Sequence, residues 1–108
     1  MEELNKINVF GTEIGSLERI EVTTDERVIS TLIDARIFAN KTDCVIILNY
    51  NNNENGVKAD IVAINDCSVT YYTDSETTEI LEMDAGTRAE FIYYNGWKYY
   101  GAYGAVWN

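Results

Sequence analysis

Turn-forming residues recur along this chain about every 8–12 positions, and short β-branched or aliphatic runs fill the intervals between them. Asn-Gly pairs stand at residues 55–56 and 95–96, and an Asp-Ala-Gly segment stands at residues 84–86. Turn spacing of this kind is typical of all-β domains built from antiparallel strands. The sequence therefore predicts an all-β fold, either an antiparallel β-sandwich or a jelly-roll-like module.

The length of 108 residues suits one domain with a modest core. The sequence shows no evident internal repeat, linker or domain boundary. Residues 1–16 mix polar and apolar side chains, and the alternation typical of a strand begins at Leu17. We therefore expect an N-terminal arm over residues 1–16 and a single β domain over residues 17–108.

The stretch from residue 25 to residue 39 fits two kinds of secondary structure. Residues 23–26 read Thr-Thr-Asp-Glu, which resembles a helix capping box, and the apolar residues that follow could share one helical face. The same residues also alternate as they would in extended chain, with a break near Asp34. We favour two strands, and one short helix near residues 25–39 is the alternative.

The composition argues against catalysis. Histidine is absent, which removes the most common general base and metal ligand and excludes Ser-His-Asp and Cys-His nucleophile systems. Carboxylates remain, but their spacing singles out no glycosidase-like pair. We therefore expect no catalytic residues, no metal site and no cofactor, and we predict that the chain is not an enzyme.

Eighteen acidic residues against eight basic ones give the chain a net charge of −10. A protein so acidic is repelled by phosphate backbones and by anionic membrane surfaces, so we expect neither as a partner. No apolar run is long enough to cross a bilayer, and no signal peptide is visible. Cys44 and Cys67 each lie beside β-branched residues, which favours two reduced buried thiols over a disulfide between neighbouring strands.

Aromatic residues are concentrated near the C-terminus. Tyrosine and tryptophan rings are frequent in cores and subunit interfaces, and they can also stack on sugar rings. We predict ligand or subunit contact for seven of them: Tyr93, Tyr94, Trp97, Tyr99, Tyr100, Tyr103 and Trp107.

Residues 84–99, DAGTRAEFIYYNGWKY, resemble a β-hairpin pattern that is common in bacteriophage fibre and spike proteins. Residues 35–42 resemble the strand and turn that open such modules, and residues 45–49 resemble the strand that follows. The resemblance spans about residues 33–100 and implies a virion structural protein, usually trimeric, with no catalytic residues to carry over. Only about thirty residues precede the module, so a long fibre shaft is not expected.

We therefore predict a virion structural protein, a head fibre, decoration protein or fibre tip. It is made in the host cytoplasm and displayed on the virion surface. Its N-terminal arm would contact capsid or tail proteins, and its β domain would form a homo-oligomer and bind host glycans. One alternative is a carbohydrate-binding module in which Trp97, Tyr99 and Tyr103 form the stacking platform. The other alternative is a small acidic inhibitor protein.

Overall fold

Apolar and polar residues alternate along most of the chain, and the computed structural model folds these segments into strands. It describes residues 17–50 and 55–104, except for the side chains of residues 102–104. The described part contains no helix, so the all-β prediction is confirmed. The strands are β1 (Glu18–Val22), β2 (Glu26–Ile29), β3 (Ala35–Ala39), β4 (Cys44–Leu48), β5 (Lys58–Ala63), β6 (Cys67–Tyr72), β7 (Thr78–Met83), β8 (Thr87–Tyr93) and β9 (Trp97–Gly104).

The strands form two sheets that pack face to face. Sheet one has the order β9-β8-β5-β3-β1, and sheet two has the order β2-β4-β6-β7. The first six strands change sheet at every step, so the pairs β1–β2, β3–β4 and β5–β6 make three successive coils. Equivalent strands of successive coils pair in parallel, so this part of the chain is a short two-sheet β-solenoid.

The predicted two-sheet architecture is therefore present, but the sheets are mixed rather than antiparallel. Every antiparallel pair includes at least one of β7, β8 and β9, the strands that follow the coils. The reason lies in the connections, because the turn at residues 55–56 carries the chain from sheet two to sheet one instead of closing a hairpin. The second Asn-Gly pair does close a hairpin, between β8 and β9, with positive φ angles of 53° at Asn95 and 117° at Gly96.

The ambiguous stretch at residues 25–39 forms two strands, β2 and β3, and the helix alternative is wrong. Val28 and Ile29 point to opposite faces of sheet two, as the period of an extended strand requires. Pairing of β2 with β4 therefore overrides the capping-box signal. The break between the strands is held by Thr31, whose buried hydroxyl donates to the Ile33 carbonyl at 2.8 Å and accepts from the Ile33 N–H at 3.2 Å.

The second and third coils show an internal repeat that the sequence analysis did not find. The pattern Ala-x-Ile-x-Ala followed by Asp-Cys occurs at residues 35–44 and again at residues 59–67. The pairing register places each of these alanines and isoleucines beside its equivalent in the neighbouring coil, and it places Cys44 beside Cys67. The expectation of no internal repeat is therefore corrected.

The core lies between the two sheets. Sheet one contributes mostly alanine and isoleucine from its coils, and sheet two contributes larger side chains such as Leu48 and Tyr71. Aromatic rings close the core beside the coils, where the Tyr71 and Phe91 centroids are 4.9 Å apart. Trp97 is fully buried, and its indole N–H donates to the Asn49 carbonyl at 2.9 Å. The described residues thus share one continuous core, whereas the proposed arm at residues 1–16 lies outside them.

Candidate assembly surface

The outer face of sheet two, which we call the sheet-two face, carries side chains in three rows that cross the strands. The acidic row contains Glu26, Val45, Ser68 and Glu82, and the apolar row contains Val28, Ile47, Thr70 and Ile80. The hydroxyl row contains Tyr72 and Thr78, which are partners in β6 and β7. The pairing register places the residues of each row directly beside one another. The acidic and apolar rows cross all four strands, and the hydroxyl row runs parallel to them on β6 and β7.

This face is unusual for the surface of a highly charged protein. Val28 is 52% exposed and Ile80 is 63% exposed, and the strands contribute no lysine or arginine to the described part of this face. Strand β4 is apolar on both sides, a pattern typical of strands that are covered on both faces. Exposed contiguous apolar surface marks interaction sites more often than free surface. The sheet-two face is therefore the strongest candidate for an assembly surface.

The outer face of sheet one, the sheet-one face, has the opposite character. It carries five basic residues: Arg19, Arg36, Lys58, Arg88 and Lys98. Among them lies Asp60, whose carboxylate accepts from Arg36 Nε at 3.2 Å and from Arg88 Nη2 at 3.1 Å. The two faces of this small molecule thus present different chemistry, since one carries basic residues and the other has an apolar row between acidic and hydroxyl rows.

The structure separates the seven aromatic residues predicted to make contacts. Tyr93 and Trp97 lie inside the core, with ring centroids 5.3 Å apart, so neither ring is available to a ligand on the surface. Tyr94, Tyr99 and Tyr100 are exposed, and a contact role remains a prediction for these three. The backbone of Tyr103 belongs to β9, but its side chain lies outside the described part of the structure, as does all of Trp107.

A depression of about 240 Å³ lies where the chain passes between the sheets at residues 43, 66 and 84. It is lined by Asp43, Asp66, Glu82 and Asp84, together with Cys67 and Met83. Burial raises the pKa of the Cys67 thiol to about 12, and nearby carboxylates add to that shift. The thiol is therefore protonated at neutral pH, which is the opposite of an activated nucleophile.

Cys44 is the strand partner of Cys67, and it is also buried with a free thiol. Burial raises the pKa of this second thiol as well. The described residues contain no cluster of three or more side chains suited to a metal ion.

Sequence reasoning missed the residues of the sheet-two face. The contact residues predicted from the sequence are aromatic, whereas the apolar row consists of Val28, Ile47 and Ile80 with one threonine. One available signal was the uninterrupted run from Val45 to Leu48, because a strand with one solvated face normally alternates. That run could have indicated a strand whose outward side chains are also buried by another surface.

Comparisons with known proteins identify no relative. No protein-family model matches the chain, and no significant match occurs among curated proteins or among solved structures. In residues 17–50 and 55–104, no helix is long and apolar enough to cross a membrane.

Proposed function

We propose that this chain is a non-catalytic structural protein that assembles with copies of itself through the sheet-two face. The observation that carries the proposal is the apolar row, which crosses all four strands of sheet two. Within the described residues, the outward positions of these strands carry no lysine or arginine. A chain with a net charge of −10 repels its own copies at long range, so self-association needs a local apolar contact of this kind. The resemblance of residues 33–100 to phage fibre modules supports a place on a virion surface, with residues 1–16 contacting capsid or tail proteins.

The order of the rows favours a cyclic assembly whose axis runs along the apolar row. Rotation about that axis places the apolar rows of all copies at the centre. It also brings the acidic row of one copy beside the hydroxyl row of the next, rather than beside another acidic row. Glu82 can then accept hydrogen bonds from Thr78 or Tyr72 of a neighbouring copy. We propose three copies, as the fibre resemblance implies.

The area of the face sets an expectation for the strength of assembly. Four strands about 4.8 Å apart, each contributing about five residues at about 3.3 Å, give a footprint on the order of 300 Å². Stable protein interfaces bury about 800 Å² on each partner. The sheet-two face alone therefore predicts association that weakens on dilution.

Light scattering after size-exclusion chromatography tests the proposal over a wide range of protein concentrations. We expect the mass to approach three times the chain mass of 12.3 kDa at high concentration. Val28→Lys and Ile80→Lys each place a charge on the proposed axis and should shift the protein towards monomer. Leu32→Lys is the matched control, because Leu32 is 69% exposed but lies in the break between β2 and β3. A wild-type monomer at every concentration, or equal effects of all three substitutions, would overturn the proposal.

If the protein is monomeric, the acidic inhibitor alternative is favoured. The observation in its favour is the depression lined by Asp43, Asp66, Glu82 and Asp84, where four carboxylates converge. The carbohydrate-binding alternative loses one member of its stacking platform, because Trp97 is fully buried.

A further inference from the structure

Two arginines stand side by side on the sheet-one face at the end of the molecule where the coils begin. Arg19 in β1 and Arg36 in β3 are partners in the parallel register, on strands about 4.8 Å apart. Both lie at outward positions, because Ile20 next to Arg19 is buried, as are Ala35 and Ile37 on the two sides of Arg36. Like charges directly opposite each other destabilise a sheet, so this pair costs stability unless an anion lies between the guanidinium groups.

The carboxylates near the pair already have hydrogen-bond partners, and Glu21, which follows Arg19 on the same face, accepts from Asn40 Nδ2 at 2.6 Å. Asp60 is shared between Arg36 and Arg88, and Asp34 accepts the backbone N–H of Lys58 at 3.0 Å. Arg19 makes no ion pair within the part of the chain that the structure describes. The Arg36 side chain is 43% exposed, so its guanidinium keeps donors that face solvent. The outward positions of sheet one carry five basic residues against the three acidic residues Glu21, Asp60 and Glu90, so an excess of positive charge remains on this face of a strongly acidic protein.

We propose that Arg19 and Arg36 bind the carboxylate or sulfate group of an acidic glycan, with the ring of Phe38 beside the sugar. Guanidinium groups are planar forks that match the geometry of such anions. Phe38 follows Arg36 by two residues on the same face, about 7 Å along the strand, and is half-buried. A sugar ring whose anionic group lies between the arginines would reach that aromatic surface.

This inference rests on the proposed function, since it names the class of glycan to which a particle-surface protein would attach. The sheet-two face is enclosed in the proposed assembly, and the sheet-one face is then directed outward. The pair of arginines on each copy would thus be displayed several times on one particle. Repeated display allows a weak single site to hold a polymeric glycan firmly.

Isothermal calorimetry at low ionic strength tests the site with oligogalacturonate as the acidic glycan and a neutral glucose oligomer of matched length. We expect binding of the acidic oligomer alone. Arg19→Gln should weaken that binding about tenfold, the effect of losing one exposed charge-assisted contact. Arg36→Lys keeps the charge but removes the planar fork, so it should weaken binding as well. Lys98→Gln is the matched control, with the same charge change as Arg19→Gln at the far edge of the same face.

Equal weakening by Lys98→Gln would show diffuse attraction and would overturn the proposal. An absence of binding to the acidic oligomer would also overturn it. An affinity for oligoglutamate equal to or higher than that for the glycan would overturn it too, because the site would then not distinguish a glycan from an acidic peptide. If acetate binds as tightly as the acidic oligomer, the arginines hold an adventitious ion only, and the proposal is overturned. The solution mass of Arg19→Gln should equal that of wild type. A wild-type monomer that still binds the glycan would refute the assembly alone, and a trimer that does not bind it would refute this site alone.

Discussion

Gly96 allows a sharp test of how the two sheets meet. It lies in the turn between β8 and β9, with a φ of +117°, and an added Cβ would stand 2.0 Å from the Thr73 carbonyl oxygen. Thr73 belongs to the loop between β6 and β7, which is part of sheet two. The glycine therefore permits a close backbone approach between the ends of two hairpins, one from each sheet.

The cost of Gly96→Ala has two parts. An alanine at positive φ costs about 1–2 kcal/mol wherever it stands. Carbon and oxygen atoms in contact are about 3.3 Å apart, so the Thr73 carbonyl must also withdraw by about 1.3 Å. Thr73 is held by its own N–H and its hydroxyl, which donate to the Thr77 carbonyl at 2.9 Å and 3.3 Å, and each such hydrogen bond contributes about 1 kcal/mol. We expect a total loss of about 3–4 kcal/mol.

Gly86→Ala separates the two parts, because Gly86 has a φ of +90° and nothing within 4 Å of an added Cβ. That control should lose only the conformational part. Urea denaturation followed by circular dichroism should therefore show Gly96→Ala to be about 2 kcal/mol less stable than Gly86→Ala. The melting temperature of Gly96→Ala should be about 10 °C below that of Gly86→Ala. Equal stabilities of the two variants would refute the close approach of the hairpins.

Two further predictions concern buried polar groups. The pKa of Cys67 is raised to about 12 from an ordinary value of 9.0, so the folded protein keeps a proton that the unfolded chain loses between these values. The free energy of unfolding should therefore fall as pH rises from 9 to 12. In a series of denaturation curves, Cys67→Ala should reduce that slope by up to about 1.4 kcal/mol per pH unit. An unchanged slope would contradict the burial of the Cys67 thiol. Thr31→Val should cost about 1–3 kcal/mol of unfolding free energy, because the break between β2 and β3 loses the hydroxyl that bonds Ile33. The exposed Thr24→Val serves as its control, and equal losses would argue against the role of Thr31.

Alternation and turn residues identify the strands of this chain, but they do not identify which strands pair. Alternation and turn residues correctly predicted strands on both sides of Asp34, since those signals depend on local geometry. They carry no information on whether a turn joins neighbours in one sheet or crosses to the other sheet. The Asn-Gly pairs at residues 55–56 and 95–96 show this, because similar residues lead to a crossing in one case and a hairpin in the other.

The candidate surfaces were less accessible to sequence reasoning than the fold. Trp97 and Tyr93 are aromatic residues like Tyr94 and Tyr100, yet two are buried and two exposed, and composition alone does not distinguish them. The sheet-two face depends on the register of four strands that are distant in sequence. Its residues become neighbours only when Val28, Ile47 and Ile80 are brought into one row.

The internal repeat is the sequence feature that indicates which strands pair. In a solenoid, each coil places its residues on top of the equivalent residues of the coil before it, so identical residues stack. The shared Ala-x-Ile-x-Ala pattern at residues 35–39 and 59–63 therefore predicts parallel pairing between strands twenty-four residues apart, as the register shows. The same stacking produces the two surfaces proposed here, since it aligns outward residues as well as inward ones. A sequence with such a repeat is best interpreted coil by coil, with each outward position compared with its equivalent in the next coil.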